Sequence, residues 1–399
     1  MTPTDGKGVL DGVRVLDFGR YIAGPFCACL LGDLGAEVIR VERVDGSEDR
    51  FLGPLLEDDA SAMFLHVNRN KRGLTLNPMK PEGTEIVRKL IETADVVVAN
   101  MPTAGLERVG LDWLTVSAIN PRAVLTTVNA MGEGGPWSDR VGFDGIGQVM
   151  SGSTYLSGRP GDPIKGYVPW VDFGTASLAA LGTVSALHER QTTGQGQHVT
   201  AALLQTALTF SNYTHIEQAV AKVNREASAN RHQLAGPADI VPTLDGHVIV
   251  QVIGPTLFGR FCTMINRPQL ADDPRFVDDT SRGENGEALT AILAGWTVDR
   301  RTTEVLDACA VASVPAGPVL GPQQVLENEH IAGLNFLQPV DYPGLATPAP
   351  MARTPFDLSD NPTGIRHRAP TLGEHTDEIL TSLDYDSTTI ALLRSERVI

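Results

Sequence analysis

Short apolar segments alternate with amphipathic helical segments through the first 130 residues, and this alternation constrains the fold more than any other feature of the sequence. The predicted strands are short and largely apolar, as strands buried on both faces are, and they lie at 13–18, 37–42, 96–100 and 123–130. Between them, Gly24-Pro25 opens a predicted helix, and residues 84–95 place apolar side chains on one helical face. The sequence therefore predicts an α/β fold with a parallel sheet covered by helices on both faces.

The pattern changes in the middle of the chain. Residues 174–190 are rich in Ala and Gly and predict a helix that can pack closely against another backbone, and a turn and a strand follow it. A polar, Ala-rich stretch at 205–230 predicts a linker helix. Beyond it, Asp245-Gly246 lies between two apolar runs, which is typical of a β-hairpin. Helical segments at 256–310 complete a small α+β unit.

We therefore expect a large α/β domain built from both ends of the chain, with a smaller α+β domain inserted between them. Residues 314–322 predict an irregular return, and residues 370–399 predict two final short helices. The first part of the large domain is expected at 1–204 and the linker helix at 205–230. The small domain is expected at 231–325, and the return linker with the last part of the large domain at 326–399.

The charge balance limits the classes of ligand and partner. The 399 residues carry 32 Lys and Arg against 48 Asp and Glu, a net charge of −16. Nucleic acids and anionic membranes both require a basic face, so neither is expected as a partner. No apolar run approaches about 18 residues, so no membrane-spanning helix is expected. An anionic ligand would have to be held by a few placed arginines and helix N-termini.

Cysteine and histidine usage points away from disulfide and metal chemistry. The four cysteines contain no C-x-x-C pair and predict free, buried thiols in a reducing cytoplasm. None of the nine histidines has metal-binding spacing to another histidine or to a cysteine, so no metal is expected. The N-terminal residues lack the layout of a signal peptide, and the expected location is the cytoplasm.

The turn after the first strand argues against a nicotinamide dinucleotide. Residues 17–26, DFGRYIAGPF, lack the G-x-G-x-x-G spacing that lets a backbone approach a pyrophosphate. Glu42 does stand where such folds place an acid for the ribose hydroxyls. The basic stretch at 68–72 has two interpretations, a solvated loop or a phosphate contact.

Asp172 also has two interpretations. It precedes a predicted helix that begins near Gly174, so it could be the N-cap that satisfies free backbone N–H groups. Its neighbours Trp170 and Phe173 could instead bury the carboxylate and make it nucleophilic. Burial raises the pKa of a carboxyl group and a helix N-terminus lowers it, so both interpretations stay open.

A series of motifs runs in order along nearly the whole chain. They are LDGVRVLDFGRYIAGPFCACLLGDLGAEVIRVE, NRNKRGLTLN, ADVVVANMPTAGLERVGL, NAMGEGGPWSDRVGFDGIGQVMSG, PWVDFGTASLAALG, TGQGQHV, DDPRF, VPAGPV and LGEHTDE. With them the chain resembles the class III CoA-transferases, the family of formyl-CoA transferase, carnitine CoA-transferase and the α-methylacyl-CoA racemases. The resemblance implies a Rossmann-like, CoA-binding large domain, an inserted small domain, and a homodimer of two interlocked chains.

The resemblance places the family's catalytic aspartate at Asp172. It implies that CoA moves between two carboxylic acids through mixed anhydrides and an aspartyl-CoA thioester on this residue. Acyl-CoA and a carboxylic acid are then the substrates, and no tightly bound cofactor is expected. Backbone N–H groups near the start of the following helix would stabilise the oxyanions that develop in each step.

The resemblance also carries the family's CoA contacts over to this chain, position by position. Ile22 and Ala23 match the turn over the pantetheine and diphosphate. Arg43 matches a phosphate contact, and Leu76 and Met79 match the wall of the adenine site. Asn100, Met101 and Arg108 match the loop and helix that bind the nucleotide. Val141, Phe143 and Asp144 match the strip beside the thioester. We expect Lys71 and Arg140 to complete a basic island in this acidic protein.

Departures from the family pattern bear on the choice among three functions. Racemases carry a His where this chain has Phe143, and a Glu in the small domain near Gly254-Pro255, where none stands here. Because racemisation needs two tuned proton-transfer groups, CoA transfer is favoured over α-methylacyl-CoA racemisation. A CoA-binding protein without catalysis is the third alternative. Ile22 replaces the Gln of formyl-CoA transferase, which favours a larger or more apolar acyl group.

Overall fold

The computed structural model describes residues 7–56 and 60–399. Its strands are β1 Arg14–Asp17, β2 Glu37–Glu42, β3 Lys71–Thr75, β4 Val96–Ala99, β5 Val124–Asn129, β6 Gly158–Arg159, β7 Asp162–Pro163, β8 His198–Ala202, β9 Ala238–Pro242, β10 His247–Gln251, β11 Ala316–Pro318, β12 Leu337–Val340 and β13 Ala349–Ala352. Its α-helices are α1 Ala23–Asp33, α2 Ala62–Val67, α3 Pro81–Thr93, α4 Thr103–Arg108, α5 Trp113–Ile119, α6 Asp144–Met150, α7 Ser153–Leu156, α8 Trp170–Thr193, α9 Leu203–Ala221, α10 Pro255–Met264, α11 Asp279–Glu284, α12 Gly286–Thr297, α13 Thr302–Ala312, α14 Pro322–Glu327, α15 Glu329–Gly333, α16 Thr376–Thr381 and α17 Ser387–Ser395. Short 3₁₀ helices lie at Glu48–Phe51, Pro268–Asp272 and Pro274–Phe276.

The main sheet is parallel, with the strand order β3-β2-β1-β4-β5-β8. In its centre, Val15 of β1 lies between Val38 of β2 and Val96 of β4. The chain passes from β1 through β2 and β3 before it returns to β4 on the other side of β1, so the strand order reverses between β1 and β4. Ligands of open α/β sheets bind at the carboxyl ends of the strands at such a point. The parallel α/β sheet predicted from the sequence is confirmed.

Successive side chains of these strands enter two cores on opposite faces of the main sheet. Val15 packs with residues of α1 and α8, whereas Leu16 packs with residues of α3, α5, α16 and α17. Val38 and Ile39 of β2 divide in the same way. Because both faces are buried, neighbouring positions of the central strands are mostly apolar, which explains the apolar runs in the sequence.

The chain divides into two compact units. One contains Met1–Ser151, Gly166–His215 and Ala332–Ile399, and the other contains Gly152–Lys165 and Ile216–Ile331. These boundaries differ from the expected ones in three places, one of which is the end of the second unit at Ile331 instead of residue 325. The β6–β7 hairpin belongs to the second unit, and the division after β8 falls inside α9, which is shorter than the linker helix predicted at 205–230.

The second unit contains an antiparallel sheet with the order β11-β10-β9. β9 and β10 form the predicted hairpin, in which Thr243 N donates to Gly246 O at the turn (2.9 Å). The prediction of an irregular segment at 314–322 was wrong, because β11 pairs with β10. Side chains of α10, α12 and α13 form the core against this sheet, with Phe261 and Leu293 fully buried.

Helix α8 packs against α1 and against β5 and β8 of the main sheet. Its buried Ala176, Ala179 and Ala180 let its backbone approach α1 closely, as the Ala and Gly content predicts. By length and composition, α8 is the one helix in the described ranges that could cross a membrane, with 44% of its apolar window buried inside the structure. A helix in a protein core passes the same test.

Candidate active site

Asp172 is the third residue of α8 and lies in its first turn. The N-cap of this helix is Pro169, so the N-cap interpretation of Asp172 was wrong. The Asp172 side chain is 9% exposed, and no residue in the described part of the chain donates a hydrogen bond to its carboxylate. Asp172 is therefore a buried carboxyl group without the partners that normally stabilise its charge.

The carboxylate of Asp144 occupies the N-terminus of α8. Its Oδ1 accepts hydrogen bonds from the backbone N–H groups of Val171 (2.8 Å) and Asp172 (3.1 Å). Its Oδ2 accepts one from the side-chain amide of Gln148, whose Oε1 accepts from Gly166 N (2.9 Å). The negative charge of Asp144 therefore offsets the positive helix end that would otherwise lower the pKa of Asp172.

The place of Asp144 beside the thioester of CoA stays a prediction, since its carboxylate contacts the backbone N–H group of Asp172. This arrangement corrects one expectation. The N–H groups of the first turn of α8 were expected to stabilise an oxyanion, but all of them already have acceptors. Besides the two bound by Asp144, Trp170 N donates to Val168 O (2.8 Å) and Phe173 N donates to Pro169 O (3.2 Å).

Burial, with a further contribution from the charge of Asp144, raises the pKa of Asp172 to about 7. A carboxyl group with this pKa is far more basic than an exposed aspartate, whose pKa is about 3.9. It also carries a negative charge in a substantial fraction of molecules at neutral pH. A basic, desolvated carboxylate without hydrogen-bond partners has the properties of a nucleophile.

We expect Asp172→Asn to stabilise the fold, by an amount that grows with pH between about 4 and 7. Above the unfolded pKa of about 3.9, the unfolded chain loses the Asp172 proton while the folded chain keeps it until about pH 7. The free energy of unfolding of the natural chain therefore falls relative to the Asn variant by up to about 1.4 kcal/mol per pH unit in this window. The difference in Tm between the two proteins, measured by calorimetry from pH 4 to 9, should rise and then level off above about pH 7.

The matched control is Asp386→Asn at the N-cap of α17. Hydrogen bonds from Thr389 lower the pKa of Asp386, so its charge contributes stability that is present above the unfolded pKa and lost as pH falls through the folded pKa. The Tm of this variant relative to the natural chain should therefore not rise with pH. A pH-independent Tm difference for Asp172→Asn would contradict the raised pKa of Asp172.

Aromatic side chains pack around the start of α8. Phe173 contacts Phe26 edge to face, with ring centroids 4.9 Å apart, and His66 stacks on Phe26 at 5.5 Å. Burial, together with the charge of Arg69, lowers the pKa of His66 to about 4, so its imidazole is neutral at physiological pH. The residue after Asp172 therefore packs among rings that carry no charge.

A cavity of about 650 Å³ lies at the carboxyl ends of β1 to β4, where the strand order reverses. We call it the switch-point cavity. Of the predicted CoA contacts, its lining brings together Arg43, Leu76, Met79, Met101 and Arg108. Further polar residues of the lining include Arg20, Asn77, Lys80 and Arg397, and the lining also contains the acids Glu42, Asp45 and Glu396. Apolar walls with several cations suit a nucleotide that carries phosphates.

The cations of the switch-point cavity differ in how far they are already neutralised. Arg43 pairs with Glu48 (3.0 Å) and Asp45 (3.5 Å) of its own loop. Arg108 is exposed, and no residue in the described ranges forms an ion pair or hydrogen bond with its side chain. Arg108 can therefore bind an anion without breaking an existing ion pair.

The basic stretch at 68–72 is neither a solvated loop nor a phosphate contact. Lys71 begins β3 with its side chain fully buried. Its Nζ donates to three oxygen atoms, Oδ2 of Asp17 (2.7 Å), O of Pro25 (2.7 Å) and Oδ1 of Asn68 (2.8 Å). All three ammonium protons are used inside the protein, so the predicted CoA contact at Lys71 was wrong.

The turn after β1 lies beside the switch-point cavity and is held by Asn100. Asn100 Oδ1 accepts from Arg20 N (2.7 Å), and its Nδ2 donates to Arg20 O (2.8 Å). Ile22 and Ala23 follow as the N-cap and first residue of α1. None of these three predicted contacts belongs to the lining, and Asn100 instead fixes the backbone that presents Arg20 to the cavity.

The predicted strip at 141–144 is largely exposed except for Asp144, which is buried. Val141 and Phe143 have exposed fractions of 77% and 63%, and Phe143 contacts the ring of Tyr21 at a centroid distance of 5.2 Å. Arg140 stacks over Trp137, 4.0 Å from the ring centroid, and lies outside the lining of the switch-point cavity. The structure thus places Phe143 beside the turn that carries Arg20, and places Arg140 on a separate surface.

Glu42 is not available to the hydroxyls of a ribose. It is buried and accepts hydrogen bonds from Ser47 Oγ (2.6 Å) and Arg50 Nη2 (2.8 Å). The four cysteines are free and buried, as predicted. Within residues 7–56 and 60–399, no group of His, Cys, Asp and Glu side chains is arranged to hold a metal ion.

Comparisons with known proteins agree with these features. The family model described as CoA-transferase family III matches residues 10–376. The chain is 33% identical to the succinyl-CoA–D-citramalate CoA-transferase of Chloroflexus aurantiacus, over 98% of each chain. It is 30% identical to the succinyl-CoA:glutarate CoA-transferase of Mus musculus, over 99% of this chain and 91% of that one. The crystal structure of a CAIB/BAIF family protein from Brucella suis superposes with a TM-score of 0.83 at 32% identity, covering 95% of this chain and all of that one.

Proposed function

The chain belongs to CoA-transferase family III, and on that premise we propose that it moves CoA between two carboxylic acids through covalent intermediates on Asp172. CoA thioesters are the substrates of such enzymes. The observation that carries the proposal is the buried Asp172 carboxyl group, which has a raised pKa and no hydrogen-bond donor within the described residues.

The reaction has four steps that conserve atoms and charge. An Asp172 oxygen attacks the donor thioester, which gives a mixed anhydride and expels the CoA thiolate. The thiolate attacks the Asp172 carbonyl, which gives an aspartyl-CoA thioester and releases the donor acid. The acceptor carboxylate attacks this thioester and expels the thiolate again. The thiolate then attacks the acceptor acyl carbonyl, which gives the new acyl-CoA and restores the Asp172 carboxylate.

The local structure suits these steps. A carboxylate with a pKa of about 7 is a better nucleophile than an exposed aspartate, and it is still a workable leaving group in the anhydride. The low exposure of Asp172, 9%, limits the access of water, which would hydrolyse an anhydride. Since Asp144 and nearby carbonyls occupy the first N–H groups of α8, we propose that other donors stabilise the oxyanions.

The named relatives suggest the first substrates to test. We propose succinyl-CoA as donor, with the acceptor acids citramalate and glutarate. The purified chain would be incubated with succinyl-CoA and each acid, and the new acyl-CoA read by mass spectrometry. Exchange of the α-hydrogen of a 2-methylacyl-CoA for deuterium without any acceptor acid would instead support a racemase, which Phe143 in place of the racemase His argues against.

We expect Arg108→Ala to raise the KM for CoA esters about tenfold, with little change in kcat. Arg108 lines the switch-point cavity, whose lining does not include Asp172, so we expect it to contribute equally to ground-state and transition-state binding. Steady-state kinetics at varied acyl-CoA concentration measures the effect. Arg122→Ala is the control, since its side chain bonds Gly194 O outside the cavity and its loss should leave KM unchanged. A fall in kcat alone would contradict a binding role for Arg108.

We also propose a homodimer of interlocked chains located in the cytoplasm. Apolar side chains of α8 and α9 support the dimer, because Leu181, Phe210 and Tyr213 are exposed by 63%, 49% and 67% in the single chain. Large exposed apolar side chains on adjacent elements are typical of a surface that another chain covers.

A further inference from the structure

The last residues of the sequence fold back to the switch-point cavity. Helix α17 ends at Ser395, and Arg397 then adopts a left-handed backbone conformation with φ 55°. Val398 and Ile399, which follow it, are buried in the core on the α3 side of the main sheet. This reversal leaves the Arg397 side chain in the cavity lining.

Two contacts fix this segment to the loop after β3. Asn77 N donates to Val398 O (2.7 Å), and the Lys80 ammonium donates to Glu396 O. The residues on both sides of Arg397 are therefore held by the loop that also carries Met79 of the cavity wall. An arginine presented from a backbone held in this way loses little conformational freedom when it binds a ligand.

Arg397 differs from the neighbouring arginine of the same helix end. Arg394 pairs with Asp377, outside the cavity lining. No residue in the described ranges forms an ion pair or a hydrogen bond with the Arg397 side chain. Its charge is therefore free to meet an anion, as the charge of Arg108 is.

The position of Arg397 along the sheet indicates which part of a CoA ester it faces. The loop that holds it follows β3, the edge strand, and Asp172 does not belong to the cavity lining. Asp172 lies in the first turn of α8, where the next residue, Phe173, packs on Phe26 of α1, the helix after β1. β3 and β1 are two strand spacings apart, which is about 10 Å. A CoA ester with its thioester at Asp172 would lie across the strand ends and place its adenosine end near β3. The terminal anion at that end is the 3′-phosphate of the ribose.

We infer that Arg397 is a specificity-determining residue that binds the 3′-phosphate of CoA and distinguishes CoA from its 3′-dephospho form, an inference that rests on the proposed function. The planar guanidinium can donate two parallel hydrogen bonds to a phosphate, and Arg108 lines the same cavity as a second free cation. Lys80 is less suited to this role because its ammonium is already bonded to Glu396 O.

Isothermal titration calorimetry on the full chain with CoA and with 3′-dephospho-CoA tests the inference. The natural chain should bind CoA roughly tenfold to a hundredfold more tightly than 3′-dephospho-CoA. Arg397→Ala should weaken CoA binding by about that factor and leave 3′-dephospho-CoA binding unchanged, while Arg397→Lys should keep part of the preference. Arg394→Ala, the matched control in the last turn of α17, should keep the full preference.

Comparison of CoA binding with 3′-dephospho-CoA binding distinguishes a failure of this inference from a failure of the proposed function. If the natural chain binds both ligands equally, or if Arg397→Ala weakens both equally, Arg397 does not bind the 3′-phosphate, although the chain still binds CoA. If the natural chain binds neither ligand, the proposed function itself is contradicted. Circular dichroism spectra that match the natural chain exclude misfolding as the cause of weaker binding in the variants.

Discussion

Replacing Asp172 by alanine is expected to abolish CoA transfer, with a loss in kcat on the order of 10⁴-fold or more, as for other covalent nucleophiles. Without the carboxylate neither the mixed anhydride nor the aspartyl-CoA thioester can form. The fold should persist, because the carboxylate makes no hydrogen bond within the described residues and its burial opposes ionisation. Transfer from succinyl-CoA, followed by mass spectrometry, measures the loss.

Controls separate the loss of a nucleophile from a general loss of function. CoA affinity of Asp172→Ala, measured by calorimetry, should stay near that of the natural chain. Glu189→Ala removes an exposed carboxylate from the same helix and should transfer CoA normally. Hydroxylamine added during turnover of the natural chain should trap a hydroxamate at Asp172. Undiminished transfer by Asp172→Ala would overturn the mechanism, and a natural chain that binds CoA but transfers it to no acid would support a non-catalytic binding protein.

Lys71→Met is expected to destabilise the fold by about 3–5 kcal/mol, the usual effect of breaking a buried ion pair from one side. Burial opposes the charge of Asp17, but Lys71 and Arg40 outweigh it and hold the pKa of Asp17 below its usual value. Methionine has a similar length but no charge or donor. It leaves the Asp17 carboxylate with Arg40 and Gly19 N as partners, and Pro25 O without its Lys71 donor. The Tm should fall by roughly 10 °C in thermal unfolding.

This result distinguishes a structural Lys71 from a CoA contact. Lys222→Met, at an exposed position, should change stability by no more than about 0.5 kcal/mol. The double variant Asp17→Asn with Lys71→Met removes both charges and should recover part of the lost Tm, which keeps the test informative if the single variant does not fold. A Lys71→Met protein with unchanged Tm and a raised KM for CoA would restore the phosphate-contact interpretation.

The fold class could be predicted because its signal is local. Each central strand is buried on two faces, so the apolar runs at 96–99 and 124–129 mark it without knowledge of its neighbours. Elements without such a signal were predicted less well. The short strand β11 exists only through its pairing with β10, and α9 ends at Ala221, just before the left-handed residues Lys222 and Asn224, with no Gly or Pro to mark the end.

The candidate site was predicted in part. The motif around Asp172 identified the residue, but its raised pKa depends on Asp144 and on burial, which spacing in the sequence does not show. The predicted CoA contacts that reached the cavity all lie in the segments after β2, β3 and β4, because parallel strands end at one edge of the sheet, although Asn100 in the same region did not. No sequence pattern indicated that Arg397 lines the cavity, since it reaches the cavity only through the packing of the last residues.

The sequence by itself determined the parallel α/β sheet, the family, and the position of Asp172 in the chain. Only the tertiary structure decided which charges are available to a ligand. In the sequence, Lys71 has the features of a free cation. In the structure its ammonium donates to Asp17, 54 residues away, and is not available to a ligand. Arg397 looks like an ordinary surface charge, yet it lines the cavity unpaired. The physical reason is that the strength of an ion pair depends on distance and burial, and folding sets both through residues that are remote in sequence.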